Sequence, residues 1–160
     1  MEPVIPIEEC AKQRLNVLVN ALTLFLKNLK EEGLDPVKVR RASDRVWEAL
    51  GIEAAKQLKP LLGEQVDLEG LRQAVQITEA IHGMEAKADI ADERLLTEIT
   101  RCPWQEAIDV HDLPQEWRMC ASGHGAFVRS MYKGLHPGAA YELRESMPAG
   151  AKICKGISTL

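Results

Sequence analysis

MEAKADIADERLLTEITRCP, residues 84–103, is where the chain changes from a helical to an alternating period. Met84, Ala86, Ala88 and Ile90 are interleaved with Glu85, Lys87 and Asp89, the pattern of a strand with one apolar face. Asp92-Glu93 supplies a polar turn, and Leu95 to Arg101 the return strand of a hairpin. Cys102-Pro103 closes it, because proline has no N–H to offer the ladder.

Upstream the spacing is helical. Leu15, Leu18, Leu22, Phe25, Leu26 and Leu29 recur at three- and four-residue steps, predicting a helix from Ile7 to Lys30 with a wide apolar face and a stop at Gly33. Asp35-Pro36 reads as a cap followed by proline at the first helical position, opening a second helix that carries Val39, Val46, Trp47 and Leu50 up to Gly51. A short third helix is expected over Ile52 to Leu62. A fourth follows Asp67, burying Leu71, Ala74, Val75 and Ile81 before Gly83.

Downstream, Trp104 to Leu113 reads as a loop with a short helix around Gln105 to Ile108. Pro114 then opens a helix to about Lys133, weakened by Gly123 and Gly125 unless these admit a close neighbour. Two strands, Ala140 to Ser146 and Ala151 to Ser158, are joined through Pro148-Ala149-Gly150. This order predicts an α+β fold, with N-terminal helices packed on an antiparallel sheet of two hairpins separated by a helix. One domain over residues 1–160 is expected, helical over 1–83 and hairpin-helix-hairpin over 84–160.

Composition narrows the function classes. A net charge of −4 over 160 residues argues against a nucleic-acid footprint, and Arg40-Arg41 reads as a solvated helix face. The apolar run from Leu15 to Leu26 contains Asn16, Asn20 and Thr23 and falls short of the roughly 18 residues of a membrane span, so no membrane role is expected. Met1-Glu2-Pro3 lacks a basic export signal, which points to the cytoplasm and to reduced cysteines.

Chemistry concentrates in the second half. Cys120 and His124 are four apart and share a helix face; Cys102 arrives from a strand end and Cys154 from the last strand. Converging, Cys102, Cys120, His124 and Cys154 suit tetrahedral zinc, and three of them would leave a position for water or substrate. Without a metal, the same cysteines are candidate nucleophiles or small apolar core fillers. His111, between Asp109 and Asp112, is a candidate general base or substitute metal ligand. Arg101, Arg129 and Lys152 are candidates for holding a substrate carboxylate, set against plain surface charge. Trp104 and Trp117 wall either a pocket or the core, His82 and His136 read as helix-end residues, and Cys10 as a filler. Strand parity sets Cys154 with Lys152 and Gly156, opposite Ile153 and Ile157, and Gly156 offers a recess beside the thiol.

Ile81-His82-Gly83, the strand leading to Cys102-Pro103-Trp104, the helical Cys120, Leu135-His136-Pro137 and the late Cys154 together resemble the L-2-amino-thiazoline-4-carboxylic acid hydrolase family. Cys102, Cys120 and Cys154 match its cysteine positions. The resemblance implies hydrolytic opening of a cyclic amidine to N-carbamoyl-cysteine; by the chemistry of the residues themselves, Cys102 or Cys120 is the candidate nucleophile and His124 or His111 the candidate proton carrier. The substrate carbon bears two nitrogens and a sulfur, so attack by a thiolate or by metal-bound water would open the ring. The alternative is a noncatalytic small-molecule-binding or sensory domain, stiffened by structural zinc or packed thiols. A further reading makes the first helix the seam of a homodimer.

Overall fold

Two aspartates and two prolines set most of the helix starts. In the computed structural model, which describes residues 6–63 and 65–160, α1 spans Ile7–Glu31, α2 Pro36–Leu62 and α3 Leu68–Ile81. The Asp35 carboxylate accepts the Val37 amide at 2.9 Å and Asp67 that of Gly70 at 2.9 Å, satisfying amides that have no partner within their own helix. The expected break at Gly51 is absent, and α2 continues to Leu62. The glycine is there for contact: a Cβ at Gly51 would lie 2.3 Å from the Phe127 carbonyl oxygen of a crossing helix.

The hairpin forms as β1, Glu85–Ala91, and β2, Arg94–Arg101, with Asp92 and Glu93 both left-handed (φ 49 and 58) as a two-residue turn requires. Pro103 then starts α4, Pro103–Val110, a fuller helix than the loop-like reading of this stretch allowed. The helix expected from Pro114 begins later. A short 3-10 turn at Gln115–Trp117 comes first, because Trp117 and Met119 tuck into a small core with Ile108 and Leu113, and α5 spans only Cys120–Leu135. β3, Ala140–Glu145, and β4, Cys154–Thr159, complete the chain around a 3-10 turn at Met147–Ala149. Ala151 to Ile153 lie outside β4, so Cys154 opens the strand.

The four strands run in the order β1-β2-β4-β3, each neighbour antiparallel. Leu95 faces Ser158, Thr97 faces Gly156 and Ile99 faces Cys154, so these six share one side of the sheet. On β2 the alternation is strict: Leu95, Thr97 and Ile99 are buried, Leu96, Glu98 and Thr100 exposed. α3 and α5 pack on the sheet, and α2 packs along α5, enclosing Leu71, Val75, Leu95, Val128, Met131 and Tyr132. The protein is thus α+β, with α3 and α5 against one antiparallel sheet. Among the described residues no helix is long and apolar enough to cross a membrane.

Candidate functional site

At the end of the sheet where β2 stops and β4 starts, α2, α4 and α5 enclose an apolar cavity of about 40 Å³. Trp47 comes from α2 and Trp104 from α4; their rings meet edge-on at 5.4 Å between centroids. His82, just past α3, lies edge-on to Trp47 at 6.1 Å and to Phe127 at 5.2 Å. Met147 and Pro148 close another side. Gly123 makes this geometry feasible, because a Cβ there would lie 2.4 Å from the Trp47 ring. Gly125 has no such role: a Cβ would meet only the flexible Arg129 side chain.

Cys102, Cys120, His124 and Cys154 all border this one cavity. Cys154 reaches it because its side of β4 is the helix-covered one. Gly156 on that side leaves no recess, since the Tyr141 ring packs where its Cβ would stand. The four side chains share the space without the close grouping of a metal centre: among the described residues no three or more His, Cys, Asp or Glu are placed to hold a metal ion.

The other sequence candidates lie elsewhere. His111 ends α4, and its Nε2 meets Asn20 Oδ1 at 2.8 Å. Asn20 donates its own amide to the Asn16 carbonyl, which leaves Oδ1 as acceptor and makes the ring nitrogen the donor. His111 therefore fastens α4 to α1. Arg101 is forked onto Glu106 (2.7 and 3.1 Å) with Glu85 at 3.6 Å. Arg129 and Lys152 are exposed and do not border the cavity. Trp117 belongs to the small core.

Burial governs the charge state of the site. It pushes the Cys102 thiol up to about 11, raises Cys154, and raises Cys120 further still. A thiol is activated by the reverse shift, through a cation, a helix end or an imidazole. The Met147 amide donates to Cys154 Sγ at 3.3 Å. Beneath His124 lies Glu79, 2% exposed, with Oε1 3.5 Å from the ring Nε2 and Oε2 buried without a partner. Burial lifts the Glu79 carboxyl to about 8; burial and then the neighbouring His82 lower His124 to about 4. Both are neutral at pH 7, and so is His82, which burial also lowers. The cavity is an uncharged interior with polar tips.

Sequence reasoning found the thiols and His124 but passed over Trp47, His82 and Glu79. Glu79 carried a signal: it sits one turn after Val75 on the buried face of α3, where a carboxylate is out of place.

No family model and no curated protein matches the chain. Solved structures do. A trafficking protein particle complex subunit 3 from Naegleria fowleri, covalently bound to palmitic acid, superposes with a TM-score of 0.62 at 11% identity, covering 89% of this chain and 95% of that one. The phenol-responsive sensory domain of the transcription activator PoxR, solved with phenol, gives 0.60 at 14% identity, covering 88% and 73%. At such identities the likeness is one of fold.

Proposed function

We propose that the protein is a noncatalytic small-molecule-binding domain whose ligand enters the cavity between Trp47, Trp104 and His124. The observation that carries this reading is the cavity itself: concave, aromatic-walled, uncharged, and supplied with a few polar atoms to orient a guest. The two fold neighbours are described with phenol and with palmitic acid, guests that also offer an apolar body and an oxygen tip. Thiols held protonated by burial suit packing better than attack. Titration with phenol, followed by Trp emission and calorimetry, should give saturable binding that Trp104→Ala weakens at least tenfold in a folded protein. Absence of binding, together with turnover of aminothiazoline carboxylate lost in Cys102→Ser or Cys120→Ser, would restore the hydrolase reading.

A specific observation also supports the homodimer. α1 turns Val19, Thr23, Leu26 and Leu29 toward its own chain, while Leu18 and Phe25 remain 54% and 57% exposed. Ala11, Leu18, Leu22 and Phe25 fall at steps of seven, four and three on the exposed side, the spacing of a two-helix seam. Two copies pairing antiparallel through it would set Glu8 and Glu9 of one α1 against Lys27 and Lys30 of the other, whereas parallel pairing would set like charges together.

A further inference from the structure

The apolar cavity opens beside a second hollow. This one, of about 300 Å³, shares Ala121 and Pro148 with it and is bordered by Arg40 of α2, Arg118 just ahead of α5, and Ser122. Arg40 Nη2 donates to the Glu116 carbonyl at 2.9 Å, and Arg118 Nε to the Leu113 carbonyl at 2.8 Å. Each guanidinium is thus held at one point of its fork, with further N–H groups to spare. Arg40 Nε is buried with no partner, and among the described residues neither arginine is ion-paired. Among the described residues Glu116 is the one carboxylate bordering the hollow, so two cations against one anion leave its lining positive. α5 also begins there without a side-chain cap, and the amides of Ala121 and Ser122 add to the positive field.

We propose that the ligand is a small amphipathic carboxylate, its apolar body between Trp47 and Trp104 and its carboxylate on Arg40 and Arg118. The proposal rests on the cavity reading above and names the ligand class for the same site. Space and charge lead to it together. A void of roughly 150 Å³ takes a benzene ring, and the inner cavity has about 40 Å³. A ring-sized guest must therefore shift side chains or project past Pro148 into the larger hollow. The inner space holds only neutral groups and rejects an unpaired charge, while the outer one offers two planar forks that match a carboxylate. Neither Arg101, Arg129 nor Lys152 is placed to do this. Arg40 is, although its doublet with Arg41 resembles a solvated face in the sequence.

The test compares 3-phenylpropionate with 3-phenylpropan-1-ol, of the same length and neutral, by calorimetry on the full chain. The carboxylate is expected to bind about tenfold tighter or more at low salt, as a charge-assisted pair implies, and to lose that margin as salt rises. Arg40→Gln with Arg118→Gln should bring the carboxylate down to the affinity of the alcohol, with circular dichroism confirming the fold. Equal or tighter binding of the alcohol to the wild-type protein would overturn the proposal and leave the cavity reading standing. Acetate binding as tightly as phenylpropionate would overturn it too, since the apolar body would then contribute nothing. Binding of neither aromatic probe would remove the cavity reading and this proposal with it.

Discussion

Glu79 and His124 form a buried acid and base in which neither carries charge, and their opposite shifts give a readable pH signature. Glu79 stays protonated in the fold to about pH 8 against an ordinary 4.5, so its contribution to stability is complete below 4.5 and is lost as pH rises to 8. His124 stays neutral down to about pH 4 against an ordinary 6.5, so its contribution is complete above 6.5 and is lost as pH falls to 4. Between 4.5 and 6.5 the two slopes cancel; from 6.5 to 8 only that of Glu79 remains, worth about 2 kcal/mol. Urea unfolding should show this decline above pH 6.5, and Glu79→Gln should flatten it. A Gln variant with the same decline would mean that the carboxylate is already ionised in the native protein. The period of α3 sets Glu79 on its buried face, but its neutrality comes from burial, to which α5 contributes by laying His124 against it. That is a contact across 45 residues of chain, which no local pattern encodes.

At the scale of elements, the crossing of α2 and α5 organises both core and cavity. Backbone approaches backbone at Gly51, where a Cβ would lie 2.3 Å from the Phe127 oxygen. Alanine favours a helix over glycine by about 1 kcal/mol, yet Gly51→Ala is expected to destabilise by about 1–3 kcal/mol, because a main-chain carbonyl cannot yield as a side chain can. Gly125→Ala, which meets only Arg129, should be neutral or stabilising. Denaturant melts of the two variants check the pair, and equal effects would contradict the close crossing. This contrast explains why Gly51 misled as a sequence signal and why Gly123 and Gly125 could not be told apart in the sequence. A glycine breaks a helix, weakens it or lets another helix in, and the deciding atom belongs to a different element. β2 read cleanly because Leu95, Thr97 and Ile99 alternate in a segment whose partner is adjacent in sequence, whereas on β1 Ala88 is buried but Ala86 and Ile90 are exposed. The segment after Pro114 did not, because Trp117 and Met119 bury themselves against Ile108 and Leu113 and delay α5 until Cys120.

Across the whole molecule, apolar surface is unevenly spent. α3 and α5 are packed into the core, whereas Leu18, Leu22 and Phe25 of α1 remain exposed on a helix that otherwise meets its own chain chiefly at α4 and the Gln115–Trp117 turn. Sedimentation equilibrium should show a dimer at micromolar concentration, and Leu18→Glu with Phe25→Glu should yield a folded monomer. A wild-type monomer at about 100 μM would dispose of the seam, since a specific interface of standard size is expected to hold at that concentration. The sequence by itself determined the α+β class, the hairpins, the capped helix starts and the set of thiols with His124, because period, turn chemistry and caps act over a few residues. Tertiary structure alone decided that these thiols border one uncharged cavity, that Trp47 and Trp104 wall it, that Arg40 and Arg118 border the neighbouring hollow, and that His111 and Arg101 belong elsewhere. Burial and the approach of distant elements set those outcomes, and both depend on where the chain returns in space.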